Sequence, residues 1–196
     1  MGPRAPASPD RDRVLVEAVL ARAPGAFEEL VRAYQGLCWR IVQRMVRHPE
    51  DTRELCQDTF LLVHRQLHQY RFESPLRSWI GQVAYSVAAR RLKRKRIPIA
   101  EPSGDEDAGA ALARVRDSFD LEAAYADAEL VSHLRAAIEA LAPVQRTVLV
   151  MYHLEEMSIG EIAGIVGVPE GTIKSHLFRA RTRLRVRLQA LMDTRP

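Results

Sequence analysis

The chain has 196 residues, 47% hydrophobic and 28% charged, with a net charge of +4, proportions that suit a soluble globular protein of one domain or two small ones. No apolar run approaches membrane-spanning length and the N-terminus lacks a hydrophobic signal core, so a cytoplasmic protein is expected. Two cysteines, Cys38 and Cys56, both lie on apolar helix faces, which reads as core thiols in a reducing compartment rather than a disulfide framework.

Residues 1–13 contain three prolines and little to bury, and a disordered tail is expected there. Val14 to Ala21 reads as a short amphipathic helix, closed by Pro24-Gly25. Beyond it Phe27, Leu30, Val31, Tyr34, Leu37, Cys38, Ile41, Val42 and Met45 recur at three and four residues, the stripe of a core helix. Pro49, followed by Glu50 and Asp51, opens another helix with Leu55, Phe60, Val63, Leu67 and Tyr70 inward and Asp51, Glu54 and Asp58 on an acidic side. Ser74-Pro75 reads as the cap and first turn of a third helix, with Leu76, Trp79, Ile80, Val83, Ala84 and Val87 inward and RRLKRKR at its end.

Charge then changes sign. Residues 71–96 carry eight Arg or Lys against Glu73 alone, whereas residues 101–129 carry nine Asp or Glu against Arg114 and Arg116. The second stretch, rich in alanine with Pro98, Pro102, Gly104 and Gly109 about it, lacks a sustained apolar period. An acidic flexible linker over 97–127 is expected. Ala128 to Leu141 and Val144 to Leu154 read as two more helices, parted by Pro143. The expected fold is all-α: two small helical domains, 14–96 and 128–192.

Within the second domain, Ser158 and Glu161 have the S-x-x-E spacing of a capping box, so a helix should start there. Ile159, Ile162, Ala163 and Val166 share a face, and Gly167 offers the left-handed conformation that ends a helix. A second helix begins near Pro169, with Glu170 at its positive end and Ile173 and Leu177 inward. Its polar face carries Thr172, Lys174, Ser175, Arg179, Arg181 and Arg183. Hydrogen-bonding groups in front of a cationic row fit a helix-turn-helix whose second helix enters the major groove. Two basic blocks flanking an acidic middle also point to a polyanion partner, DNA or RNA.

The segments GAFEELVRAY, PEDTRELCQDTFL, YRFESPLRSWIGQVAYSVAARRLKR and LAPVQRTVLVMYHLEEMSIGEIAGIVGVPEGTIKSHLFRARTRLR occur in this order. Together they resemble the extracytoplasmic-function (ECF) group of bacterial sigma factors, members of the sigma-70 family that keep only sigma domains 2 and 4. The resemblance implies a transcription initiation factor, with RNA polymerase core (beta and beta-prime subunits) and promoter DNA as partners and no cofactor. It implies that the helix bearing Asp51, Glu54, Leu55, Gln57, Asp58 and Phe60 docks on polymerase. It further implies that Arg71, Phe72, Ser74, Arg77, Ser78, Trp79, Ser86, Arg90, Arg91 and Arg94 meet the minus-10 element, and that the helix from Glu170 to Arg183 meets the minus-35 element. The residues fit that role on their own terms. Opening a duplex requires cations on the backbone and an aromatic pocket for an unstacked base, and Arg71, Phe72, Arg77 and the 90–96 cluster beside Trp79 supply both.

The chain departs from the family at Ser86, where asparagine is common, near Arg90, where aspartate is, and at His64, where tryptophan is. His64 and His68 share a helical face without a third ligand, so no metal site is expected. In the docking helix the family's acidic run reads Asp51, Thr52, Arg53, Glu54, placing a cation among the acids. A phosphate on Thr52 would mask that cation, so Thr52 is a candidate phosphosite and a Ser/Thr kinase, like an anti-sigma factor, a candidate partner. The competing reading is a helix-turn-helix regulator that acts without polymerase core. Enzyme motifs such as G-x-x-x-x-G-K-[ST], G-x-S-x-G and H-E-x-x-H are absent from the sequence, so no catalytic residue is expected.

Overall fold

The computed structural model describes residues 9–95 and 128–192, which are helical without a strand among them and divide into two compact units. The acidic stretch 97–127 lies outside the described residues.

The first unit holds α1 (Pro9–Leu20), α2 (Ala26–Val46), α3 (Pro49–Gln66), a 3₁₀ turn (Leu67–Gln69) and α4 (Leu76–Arg94). Helix α2 is its spine, packed against both α3 and α4, while α1 lies over α2 and the 3₁₀ turn. The expected stripe is the buried one: Leu30, Tyr34, Leu37, Cys38, Ile41, Val42 and Met45 all face the core. Gly25 and Arg47, at the two ends of α2, both adopt left-handed backbone (φ 77° and 64°), and the Arg47 N–H donates to the Gln43 carbonyl, closing the helix before Pro49 opens the next.

Two boundaries differ from the sequence reading. Helix α1 begins at Pro9, so residues 9–13 are ordered helix rather than tail. Pro9 in the first turn with Asp10 and Asp12 beside it is a helix start. Asp12 is then buried to accept a hydrogen bond from the Tyr34 hydroxyl at 2.6 Å; residues 1–8 lie outside the described residues. At the start of α4, Ser74 does not cap. Pro75 stands in the cap position, its carbonyl accepting from the Ser78 and Trp79 N–H groups, and the Ser74 carbonyl instead accepts from the Tyr70 hydroxyl at 2.6 Å.

After residue 127 the chain forms α5 (Ala128–Glu139), α6 (Pro143–His153), α7 (Ile159–Val166) and α8 (Glu170–Met192), with α8 packed on α5 and α6. Val144, Val148, Met151, Met157, Ile162, Ile173, Leu177, Ala180 and Leu188 are buried. Arg146 is buried too. Its Nη1 donates to the Glu139 carbonyl at 2.7 Å, with the Glu139 carboxylate 3.7 Å away, so the cation pins the α5–α6 corner instead of facing a ligand.

Candidate nucleic-acid and polymerase interfaces

The α7–turn–α8 segment has the geometry its sequence implies. The Glu161 N–H donates to Ser158 Oγ at 3.2 Å and the Ser158 N–H donates to Glu161 Oε2 at 2.9 Å, a reciprocal capping box. Gly167 is left-handed (φ 77°), and the Val168 N–H closes α7 on the Ala163 carbonyl. Helix α8 then starts at Glu170 and buries Ile173, Leu177 and Ala180. Opposite that face stand Gly171, Lys174, Ser175, Phe178 and Thr182, spaced three and four apart.

The flanks of α8 are not all outward. Arg181 Nη2 lies 3.3 Å from His153 Nε2, with its guanidinium over the Tyr152 ring, and Arg183 Nη1 donates to Gln145 Oε1 at 3.1 Å. Both expected DNA contacts are thus engaged with α6 of their own domain, because they flank the buried face of α8. The Ser175 hydroxyl donates back to the Gly171 carbonyl at 3.0 Å, while Thr172 and Arg179 are half-buried and Glu170 and Lys174 exposed.

In the first unit, an aromatic loop joins the 3₁₀ turn to α4. Tyr70 lies 4.7 Å from the Phe72 ring and 5.5 Å from that of Trp79. Phe72 is half-buried in left-handed backbone (φ 59°), and the Arg13 guanidinium sits 4.5 Å above its ring. Arg71 and Ser74 are exposed, Arg77 and Trp79 half-buried, and Ser78 is buried, which removes its hydroxyl from a DNA-facing role. Further along α4, Ser86, Arg90 and Arg94 are exposed, although the Ser86 hydroxyl is returned to the Val83 carbonyl.

The acidic helix α3 is tied to the basic end of α4. Arg91 Nη2 lies 2.6 Å from Asp51 Oδ1 and 3.3 Å from Glu54 Oε2, and Lys95 Nζ lies 2.6 Å from Asp51 Oδ2. Bonds from Lys95 and then Arg91 hold the Asp51 carboxyl down at about 2. Arg91, expected on the DNA side, is therefore committed to an internal ion cluster. Leu55 and Phe60, expected to touch polymerase, are buried in the core. The outward ridge of α3 is instead Glu54, Gln57, Asp58, Leu61 and Arg65, with Leu61 57% exposed, and a groove beside it is lined by Leu62, Arg90 and Arg94.

The patterns of sigma-70 region 2 and sigma-70 region 4 match residues 30–97 and 133–184. Over 190 residues the chain is 31% identical to the ECF RNA polymerase sigma-E factor of Salmonella typhimurium, covering 92% of this chain and 96% of that one. The chain belongs to the ECF sigma factors. Two solved structures share its fold: CnrH in complex with the cytosolic domain of CnrY (TM-score 0.63, 21% identity, 91% of this chain and 97% of that one). The other is the sigma factor RpoE in complex with the anti-sigma factor NepR from Bartonella quintana (TM-score 0.57, 19% identity, 84% and 98%).

In this sigma factor the expected phosphosite is closed. Thr52 is 0% exposed, its hydroxyl 2.6 Å from Gln43 Oε1 and 2.8 Å from the His48 carbonyl. A kinase needs that oxygen in solvent. Nor is Arg53 a bare cation among acids, since its Nη1 lies 2.7 Å from Glu50 Oε2. The His64 ring packs edge-on to Phe27, and among the described residues no cluster of three metal-ligating side chains occurs. Nor is any described helix long and apolar enough to cross a membrane.

The sequence reading missed Arg13. Arg13 was hidden by its placement in a tail, although the Pro9, Asp10, Asp12 signature was present.

Proposed function

We propose that this ECF sigma factor binds RNA polymerase core through the α3 ridge and selects promoters with two separate DNA-reading elements. The proposed domains are 9–96 for polymerase and minus-10 binding, since α1 begins at Pro9, and 128–192 for minus-35 binding, with 97–127 as linker. The observation that carries the reading is the exposed Glu54–Asp58–Leu61 ridge. A leucine left in solvent one helical turn beyond two carboxylates is the composition of a protein-docking face, and a regulator that needed only DNA would have no use for it.

At the minus-35 element, Lys174, Ser175, Thr172 and the start of α8 meet base edges, with Arg179 toward the phosphates. At the minus-10 element, Arg71, Arg77, Arg90 and Arg94 hold the backbone while Phe72 and Trp79 offer stacking surface to an unpaired base. The complexes of CnrH with the cytosolic domain of CnrY and of RpoE with the anti-sigma factor NepR support, for this chain, a partner protein that masks these surfaces. The buried Thr52 gives no support to control by a kinase.

The test is transcription in vitro from a genomic fragment library with purified bacterial core. Wild type should bind core and yield discrete start sites, and Glu54→Ala/Asp58→Ala/Leu61→Ala should bind core at least about tenfold more weakly, as loss of a small anchor cluster does. Specific DNA binding by a protein that never associates with core would establish the regulator reading instead.

A further inference from the structure

Phe72 poses a physical question. A bulky residue in left-handed backbone (φ 59°) is strained by about 1 kcal/mol or more and persists only where its surroundings hold it. Two groups hold it. The Tyr70 ring lies 4.7 Å away at 54°, and the Arg13 guanidinium covers its ring at 4.5 Å. Tyr70 is itself fixed, since its hydroxyl donates to the Ser74 carbonyl across the loop.

Arg13 is equally fixed from behind. Its neighbour Asp12 is buried against the Tyr34 hydroxyl at 2.6 Å, and Leu15 and Val16, on the next turn of α1, are buried. The Arg13 side chain, by contrast, is exposed. It contributes little to the core and a great deal to one ring.

We infer that Arg13 is a positioning residue for promoter recognition: from α1 it clamps Phe72, and so sets the conformation in which the loop from Arg71 to Ser74 meets DNA. The inference rests on the proposed minus-10 role of that loop and extends it to a helix that does not belong to it. Arginine suits the task better than lysine, because a planar guanidinium stacks on an aromatic face as well as attracting it.

The experiment uses the full chain with core polymerase and a fluorescent single-stranded oligonucleotide bearing the minus-10 strand of a promoter recovered with wild-type holoenzyme. Arg13→Ala should weaken oligonucleotide binding roughly three- to tenfold, the range of a cation–π contact, with Arg13→Lys intermediate. Core affinity and the unfolding midpoint should stay at wild-type values. Phe72→Leu should also weaken binding, and the double variant should bind no worse than Phe72→Leu alone, because the clamp has nothing left to hold. Wild-type binding by Arg13→Ala, additive losses in the double variant, or a parallel loss of core affinity and stability would each overturn the assignment. Failure of wild-type holoenzyme itself to bind the oligonucleotide would instead be a failure of the minus-10 reading.

Discussion

A phosphoryl group cannot reach Thr52 while its hydroxyl is bonded between Gln43 and His48 beneath the start of α3. Thr52→Glu is therefore no mimic of activation. It buries a carboxylate against an acceptor oxygen and should cost roughly 3 kcal/mol or more of stability, seen as a lowered urea midpoint with no gain in core affinity. Thr52→Val, which keeps the shape and loses the bonds, should cost about 1 kcal/mol. Side-chain direction separates the cations of α8 in the same way. Lys174→Ala should weaken the upstream element by roughly 1 to 3 kcal/mol if it contacts a base, read as promoter output on matched and mutated minus-35 sequences. Arg183→Ala breaks a bond to Gln145. It should shift stability by about 1 kcal/mol or less and leave sequence preference unchanged.

Among the elements, those whose signals are local were legible in the sequence. The capping box of α7 and the glycine behind it lie within ten residues, and both expected hydrogen bonds are present. Ser158→Ala should cost about 1 kcal/mol, measured as the unfolding free energy of the second domain. What depends on distant partners was not legible. The bond between Asp51 and Arg91 joins residues 40 apart, and spacing alone could not tell that an acid assigned to polymerase and a cation assigned to DNA would meet. Leu55 and Phe60 likewise share the 3.6-residue stripe that buries them, so periodicity alone decides which edge of α3 faces outward.

The α3–α4 ion cluster also sets an acid response. Since the Asp51 carboxyl titrates at about 2 when folded, below its ordinary 3.8, its contribution is full above about pH 4 and disappears as pH falls through about 2. The stability difference between wild type and Asp51→Asn should therefore be constant near neutrality and vanish under strong acid, as followed by circular dichroism across a pH series.

For the whole molecule, the two small units proposed to read DNA gain little from each other unless something holds both on the same promoter. Polymerase core supplies that scaffold, and the effective concentration it creates should raise promoter affinity about a hundredfold or more over that of the free factor. The comparison is by fluorescence anisotropy at physiological salt. The free factor should bind weakly, and the pairing of Arg91 and Lys95 with Asp51 gives one reason. DNA binds cationic proteins largely by shedding condensed salt ions as phosphates are neutralised. A cation that already holds a tethered carboxylate has its counterion built in, and exchanging that carboxylate for a phosphate gains correspondingly less. Asp51→Asn should thus steepen the salt dependence of DNA binding by roughly 1 to 2 in log–log slope, and tighten it on any sequence. Asp51 in that case works as an intramolecular salt ion, keeping the basic end of α4 from settling on DNA that is not a promoter.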